Sequence, residues 1–186
     1  MIIKEKNVQE IEAKLKSVGG DMIKIEYLEN CLKTNLPNDA RRFCFISLAK
    51  IYEAKKMLQE AGKNADLAGD LATTYKDKLA LFMESVKIWT RYGNYQKSDE
   101  IFQKALACAN PSEKEFVKAK YKQELFLVAG IYEKENKNTH AVKTYEKLKS
   151  LTFITPEELA QINKKLIPLY TRVGKIREAM QLEHAK

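Results

Sequence analysis

The stretch Trp89-Thr90-Arg91-Tyr92-Gly93-Asn94-Tyr95-Gln96-Lys97-Ser98-Asp99-Glu100-Ile101-Phe102-Gln103-Lys104-Ala105 decides how the rest of the chain is read. It holds a single glycine between two runs of helical apolar spacing. Counted from that glycine, an aromatic stands four residues before, a small residue five after, an aromatic nine after and a small residue twelve after. On a helix, residues three or four apart share a face. The first aromatic therefore sits on the last turn of one helix, and the glycine supplies the left-handed backbone that reverses the chain. The small residue lets the second helix approach closely, and the second aromatic fills the seam with whatever follows.

Two further breaks carry the same marks. Tyr132 precedes Asn136 by four residues, and Ala141, Tyr145 and Leu148 follow at five, nine and twelve. Tyr170 precedes Gly174 by four, and Ala179 follows at five. Partial echoes are read around Gly62, with Leu67 and Leu71, and around Gly20, with Ile25, Leu32 and Pro37. Helices are expected at roughly 5–18, 21–34 and 39–61, then a shorter one to about 75, then 77–92, 95–109, 112–135, 139–150, 156–173 and a last one to the end, with Gly62-Lys63-Asn64 ending the third. Asn110-Pro111 and Thr155-Pro156-Glu157-Glu158 read as caps followed by a first-turn proline, and Ser112 with Glu115 offers a second capping arrangement. Pro168 lies inside a helical run and predicts a bend.

Composition agrees with this reading. Gly and Pro number 7 and 4, against roughly 22 together in an average chain of this length. That excludes collagen and a many-turned all-β sandwich. A hydrophobic content of 45% excludes a disordered chain. No apolar run approaches the ~20 residues of a membrane-spanning helix. Cys31, Cys44 and Cys108 are odd in number and far apart, which is the usage of buried hydrophobes in a reducing compartment. A cytoplasmic location is expected.

The turn-centred pattern resembles the tetratricopeptide repeat. Trp89, Gly93, Tyr95, Ser98, Phe102 and Ala105 match it best, although the turns at 93, 136 and 174 are 43 and 38 residues apart, longer than the family period. The resemblance implies an all-α, right-handed solenoid of antiparallel helix pairs, about ten helices in one domain over 1–186. The repeats would span 78–111, 112–153 and 155–186, with 1–77 forming divergent pairs. It also implies a non-enzymatic interaction adaptor, with a concave groove lined by the first helix of each pair. Carried residue by residue, that face holds Met83, Lys87, Thr90 and Arg91, then Gln123, Phe126, Gly130 and Lys134, then Lys164, Pro168, Thr171 and Arg172. Five of these are cations and none is an acid, so an acidic peptide or helix is the expected partner.

A search for chemistry supports the non-enzymatic reading. His140 and His184 are not spaced with metal-ligating neighbours. No phosphate loop and no nucleophile motif occurs, and neither cofactor nor metal is expected. The net charge of +8 leaves nucleic acid as an alternative partner. That alternative requires Tyr92, Tyr95 and Tyr121 to line up on the surface beside Lys120 and Lys122. Self-association through the N-terminal pair (Ile11, Leu15, Ile23, Leu28) is a third possibility.

Overall fold

A computed structural model describes residues 3–184. Among these residues the regular structure is entirely helical. The helices are α1 (Val8–Ser17), α2 (Asp21–Leu32), α3 (Asn38–Ala54), α4 (Leu58–Asp70), α5 (Tyr75–Tyr92), α6 (Tyr95–Cys108), α7 (Pro111–Lys134), α8 (Asn138–Lys149), α9 (Pro156–Arg172) and α10 (Ile176–His184). Residues 185 and 186, the end of the third expected repeat, lie outside the described residues.

Positive φ occurs at Gly20, Lys56, Gly93, Asn136 and Gly174 among the described residues, and each separates the two helices of a pair. Four of these turns are built identically. The left-handed residue donates its N–H to the carbonyl three back, as in Gly93 to Thr90 at 3.0 Å and Lys56 to Glu53 at 2.9 Å. The next residue donates to the aromatic's own carbonyl: Met57 to Tyr52, Asn94 to Trp89, Lys137 to Tyr132 and Lys175 to Tyr170, at 2.8 to 3.1 Å. This double closure satisfies the orphan carbonyls at the helix end. It fixes the residue four before the turn on the last helical turn, where its side chain faces the seam.

The structure corrects the reading of residues 39–61. The third helix stops at Ala54, and the chain reverses at Lys56 rather than Gly62. Gly62 lies inside α4, where a Cβ would stand 2.5 Å from Cε2 of Trp89. Glycine is there so that the indole can lie on the α4 backbone. The true copy keeps the offsets of the others, with Tyr52 four before Lys56 and Ala61 five after. The small residue at that offset is buried in all four copies: Ala61 and Ser98 are fully covered, as are Ala141 and, at 4% exposure, Ala179. Ser98 is tolerated because its hydroxyl lies 2.8 Å from that of Thr90 and reaches the carbonyl of Val86.

The proline-marked starts hold. Asn110 caps α7: its side chain accepts from the N–H of Glu113, whose carboxylate accepts from the N–H of Asn110. Thr155 and Glu158 make the same reciprocal arrangement at α9. Pro168 lies inside α9 on an exposed face, where its missing N–H leaves the carbonyl of Lys164 without a helical donor.

The chain divides into two compact units, residues 1–114 and 115–186. In the first, α2 packs on α3, α3 on α4, α4 on α5 and α5 on α6. Its core holds Ile11, Leu28, Cys31, Cys44 and Leu48 beneath α1 to α3. In the second, α8 packs on α9 and α9 on α10. Tyr121, Leu125, Leu148, Ile162 and Leu166 are buried there without residual exposure above 2%. Cys108 is only half-buried, contrary to the expectation for the cysteines, and lines an open cleft with Tyr75 and Lys76.

Candidate functional site

In the first unit the expected groove residues sit on α5, and their charges are already answered. Arg91 is paired with Glu53 of α3 at 3.0 Å. Lys87 is paired with Glu84 at 3.3 Å. Thr90 is fully buried and donates to the carbonyl of Val86 at 2.8 Å, with Ser98 as its other partner. Thr90 thus faces the α5–α6 seam and not an open groove. Met83 is half-buried.

The second unit also binds acids across its helices, but it carries a larger cation surplus. Three of its acids are bound across helices: Glu133 accepts from Tyr145 and from Lys165, Glu146 from Tyr170 and Lys175, and Glu158 from Lys122 at 2.7 Å. Burial pushes the Glu158 carboxyl upward, but the Lys122 ammonium and the N–H of Thr155 outweigh it and hold it below its ordinary value. Residues 115–186 carry 14 Lys and Arg against 9 Asp and Glu, whereas residues 1–114 carry 19 against 16. The smaller unit therefore holds +5 of the +8 charge.

Two of those pairs, Lys122–Glu158 and Lys165–Glu133, link α7 to α9 in the same order along both helices. Helical geometry then fixes what lies on either side of that seam. On α7, Phe116, Lys120, Gln123, Leu127, Ile131 and Lys134 fall on one exposed face. On α9, Lys164, Pro168, Thr171 and Arg172 do so, rotated toward the same side. Lys134, Lys164 and Arg172 form no ion pair with the described residues. Phe126 is half-buried nearer the seam. Of the expected residues, Gln123, Lys134, Lys164, Pro168, Thr171 and Arg172 share this face.

Three apolar residues of the face were not anticipated. Leu127 is 50% exposed, Ile131 41% and Phe116 63%, the last beneath the Lys120 ammonium at 5.5 Å. In a chain rich in apolar helix residues they read as core. The available signal was the surplus: α7 also carries Val117, Tyr121, Leu125 and Val128, which already fill its buried stripe. At Gly130, between Leu127 and Lys134, an added Cβ would meet nothing within 4 Å, so the face is open there.

The tyrosine surface needed for nucleic acid does not form. Tyr121 is fully buried, Tyr95 is half-buried, and Tyr92 is 45% exposed with its hydroxyl on Gln59. Lys122 is engaged by Glu158. No described helix is long and apolar enough to cross a membrane.

No protein-family profile matches the chain. No curated protein matches it. Among solved structures, the chain is similar to the nearly identical TPR-like repeats of a candidate kinesin light chain from Podosopora anserina, with 19% identity, a TM-score of 0.38, and 95% of this chain and 89% of that one covered. A second crystal structure of the same repeats, bearing one substitution, aligns with 18% identity and a TM-score of 0.39, over the same shares of both chains.

Proposed function

We propose that the chain is a non-enzymatic protein-interaction scaffold of TPR-like helix pairs, and that the α7–α9 face of its second unit docks an acidic amphipathic segment. The observation that supports this reading is the exposed Leu127–Ile131 pair set among cations that have no acid of their own. Covering one such aliphatic side chain is worth ~1.5–3 kcal/mol, whereas an exposed ion pair is worth about 0.2–1 kcal/mol. The apolar pair would therefore supply affinity. Lys134, Lys164 and Arg172 would select an acidic ligand and speed its approach.

A fluorescein-labelled helical peptide with leucines at spacings of three and four, and glutamates elsewhere, tests the face by anisotropy. Saturable binding at low salt is expected, weakened about tenfold or more by Lys134→Glu/Lys164→Glu and similarly by Leu127→Ser/Ile131→Ser. Equal binding by wild type and both variants would overturn the assignment. A single-stranded oligonucleotide of equal charge should bind more weakly, because no row of exposed tyrosines offers a stacking platform. Tighter binding of the oligonucleotide would return the face to nucleic acid.

A further inference from the structure

The occupant of that face can be named, on the premise that the face docks an acidic amphipathic segment. We infer that α2 of a second copy of this chain is seated on it, giving head-to-tail association. The helix α2 buries Ile25, Tyr27, Leu28 and Cys31 in its own unit. Its other side leaves Met22 64% and Ile23 55% exposed, the two most exposed large aliphatic side chains among the described residues. Asp21 and Glu26 are exposed beside them and form no ion pair with the described residues.

The segment of α1 and α2 carries a net charge opposite in sign to that of the whole chain. Residues 8–32 carry 5 acids against 3 bases, a net charge of −2 within a total of +8. Two exposed aliphatics flanked by acids thus stand at one place, and two exposed aliphatics flanked by cations at another. Each face placed on its own copy would set like charges together, at a cost in Coulomb energy. Each placed on the other joins apolar to apolar and acid to base. The interface is therefore heterologous, using a different patch from each copy, and the association can grow.

Sedimentation velocity of the full chain at about 50 and 500 mM salt tests this. Concentration-dependent association is expected at low salt and should weaken at high salt. Asp21→Lys/Glu26→Lys alone, and Lys134→Glu/Lys164→Glu alone, should each be monomeric. Mixed in equal amounts they should associate again, since the acidic helix of the second docks on the basic face of the first and the reversed helix of the first meets the reversed face of the second. Met22→Ser/Ile23→Ser, which changes no charge, should abolish association as well. A monomeric wild type at low salt, association by either charge-reversed variant alone, or a monomeric mixture of two variants that melt like wild type would each overturn the inference. If a variant fails to melt like wild type, the salt series and the serine variant decide. A monomeric wild type that still binds the labelled acidic peptide through Lys134 and Lys164 overturns self-docking but not the docking face; one that binds neither overturns both.

Discussion

The indole Nε1 of Trp89 donates to both carboxylate oxygens of Asp66, at 3.1 and 3.2 Å, across the seam between α5 and α4. The same relationship recurs. Tyr52 donates to Glu29 at 2.9 Å, and Tyr170 donates to Glu146 at 3.0 Å. In each case the donor is the aromatic four before the turn, and the acceptor lies on the second helix of the preceding pair, 23, 23 and 24 residues back. The ring fills the seam, and its polar tip finds a partner at the rim, as a largely buried Tyr or Trp requires. Counting back the same distance from Tyr132 reaches Ala109 and Cys108, which carry no carboxylate.

Asp66 also accepts from the buried hydroxyl of Ser85. Asp66→Ala removes the acceptor of two covered donors and should lower stability by about 2 kcal/mol in urea unfolding. Asp66→Asn keeps one acceptor oxygen and should lose less. Burial raises the Asp66 carboxyl above its ordinary value, against the hydrogen bonds from Ser85 and Trp89. The folded state therefore holds this proton more tightly than the unfolded chain. Its contribution is present below the ordinary aspartate value and is lost as pH rises through the raised one. Unfolding of Asp66→Asn followed from pH ~4 upward should lack that decline.

Glu158 has the opposite sign. Its carboxyl lies below its ordinary value, so the stability gained from Lys122 is present above the unfolded value and disappears as pH falls through the folded one. Acid unfolding of Glu158→Gln should lack this component below pH ~4.5. Lys122→Met, which keeps most of the unbranched side chain without the charge, should flatten the same region. An unchanged acid limb in both variants would show that the pair does not anchor α7 to α9.

Glycine-to-alanine changes should separate two environments. At Gly62 the new methyl would lie 2.5 to 2.9 Å from three carbons of the Trp89 ring. Overpacking of ~1–3 kcal/mol should outweigh the ~1 kcal/mol helix preference of alanine, lowering the melting temperature. At Gly130 nothing lies within 4 Å, so the preference acts alone and the melting temperature should rise.

Lys56 adopts φ 60°, where Gly93 and Gly174 use glycine. That conformation costs an L-residue roughly 1–2 kcal/mol. Lys56→Gly should therefore stabilise the first unit by up to about 1 kcal/mol, after the greater freedom of glycine in the unfolded chain is subtracted. Calorimetry showing a loss of stability would mean that the Lys56 side chain contributes contacts that offset its backbone strain.

The misplaced turn shows where residue identity stops being informative. Gly62 looks like a turn because glycine permits left-handed backbone, yet its role is to receive a ring from 27 residues further along the chain. Lys56 looks like a solvated helix residue, and nothing in its own chemistry marks the reversal. Tyr52 and Ala61 did mark it, at the offsets seen around Gly93. Thr90 was misassigned for a related reason: a threonine on a helix is equally at home facing solvent or bonding a carbonyl four back, and only Ser98 opposite decides it.

The sequence by itself determined the all-helical class, the pairing of helices around left-handed turns, the capped proline starts at Asn110 and Thr155, and the small and aromatic seam positions. These follow from interactions within one or two helical turns, where spacing along the chain is spacing in space. Which cations remain available was decided only by tertiary structure. Arg91 is neutralised by Glu53 from 38 residues away, and Lys122 and Lys165 are answered by Glu158 and Glu133 at separations of 36 and 32. Lys134, Lys164 and Arg172 look no different in sequence. They form no ion pair with the described residues, while Glu133, Glu146 and Glu158 are bound to tyrosines and lysines of other helices, and Leu127 and Ile131 stay exposed on α7.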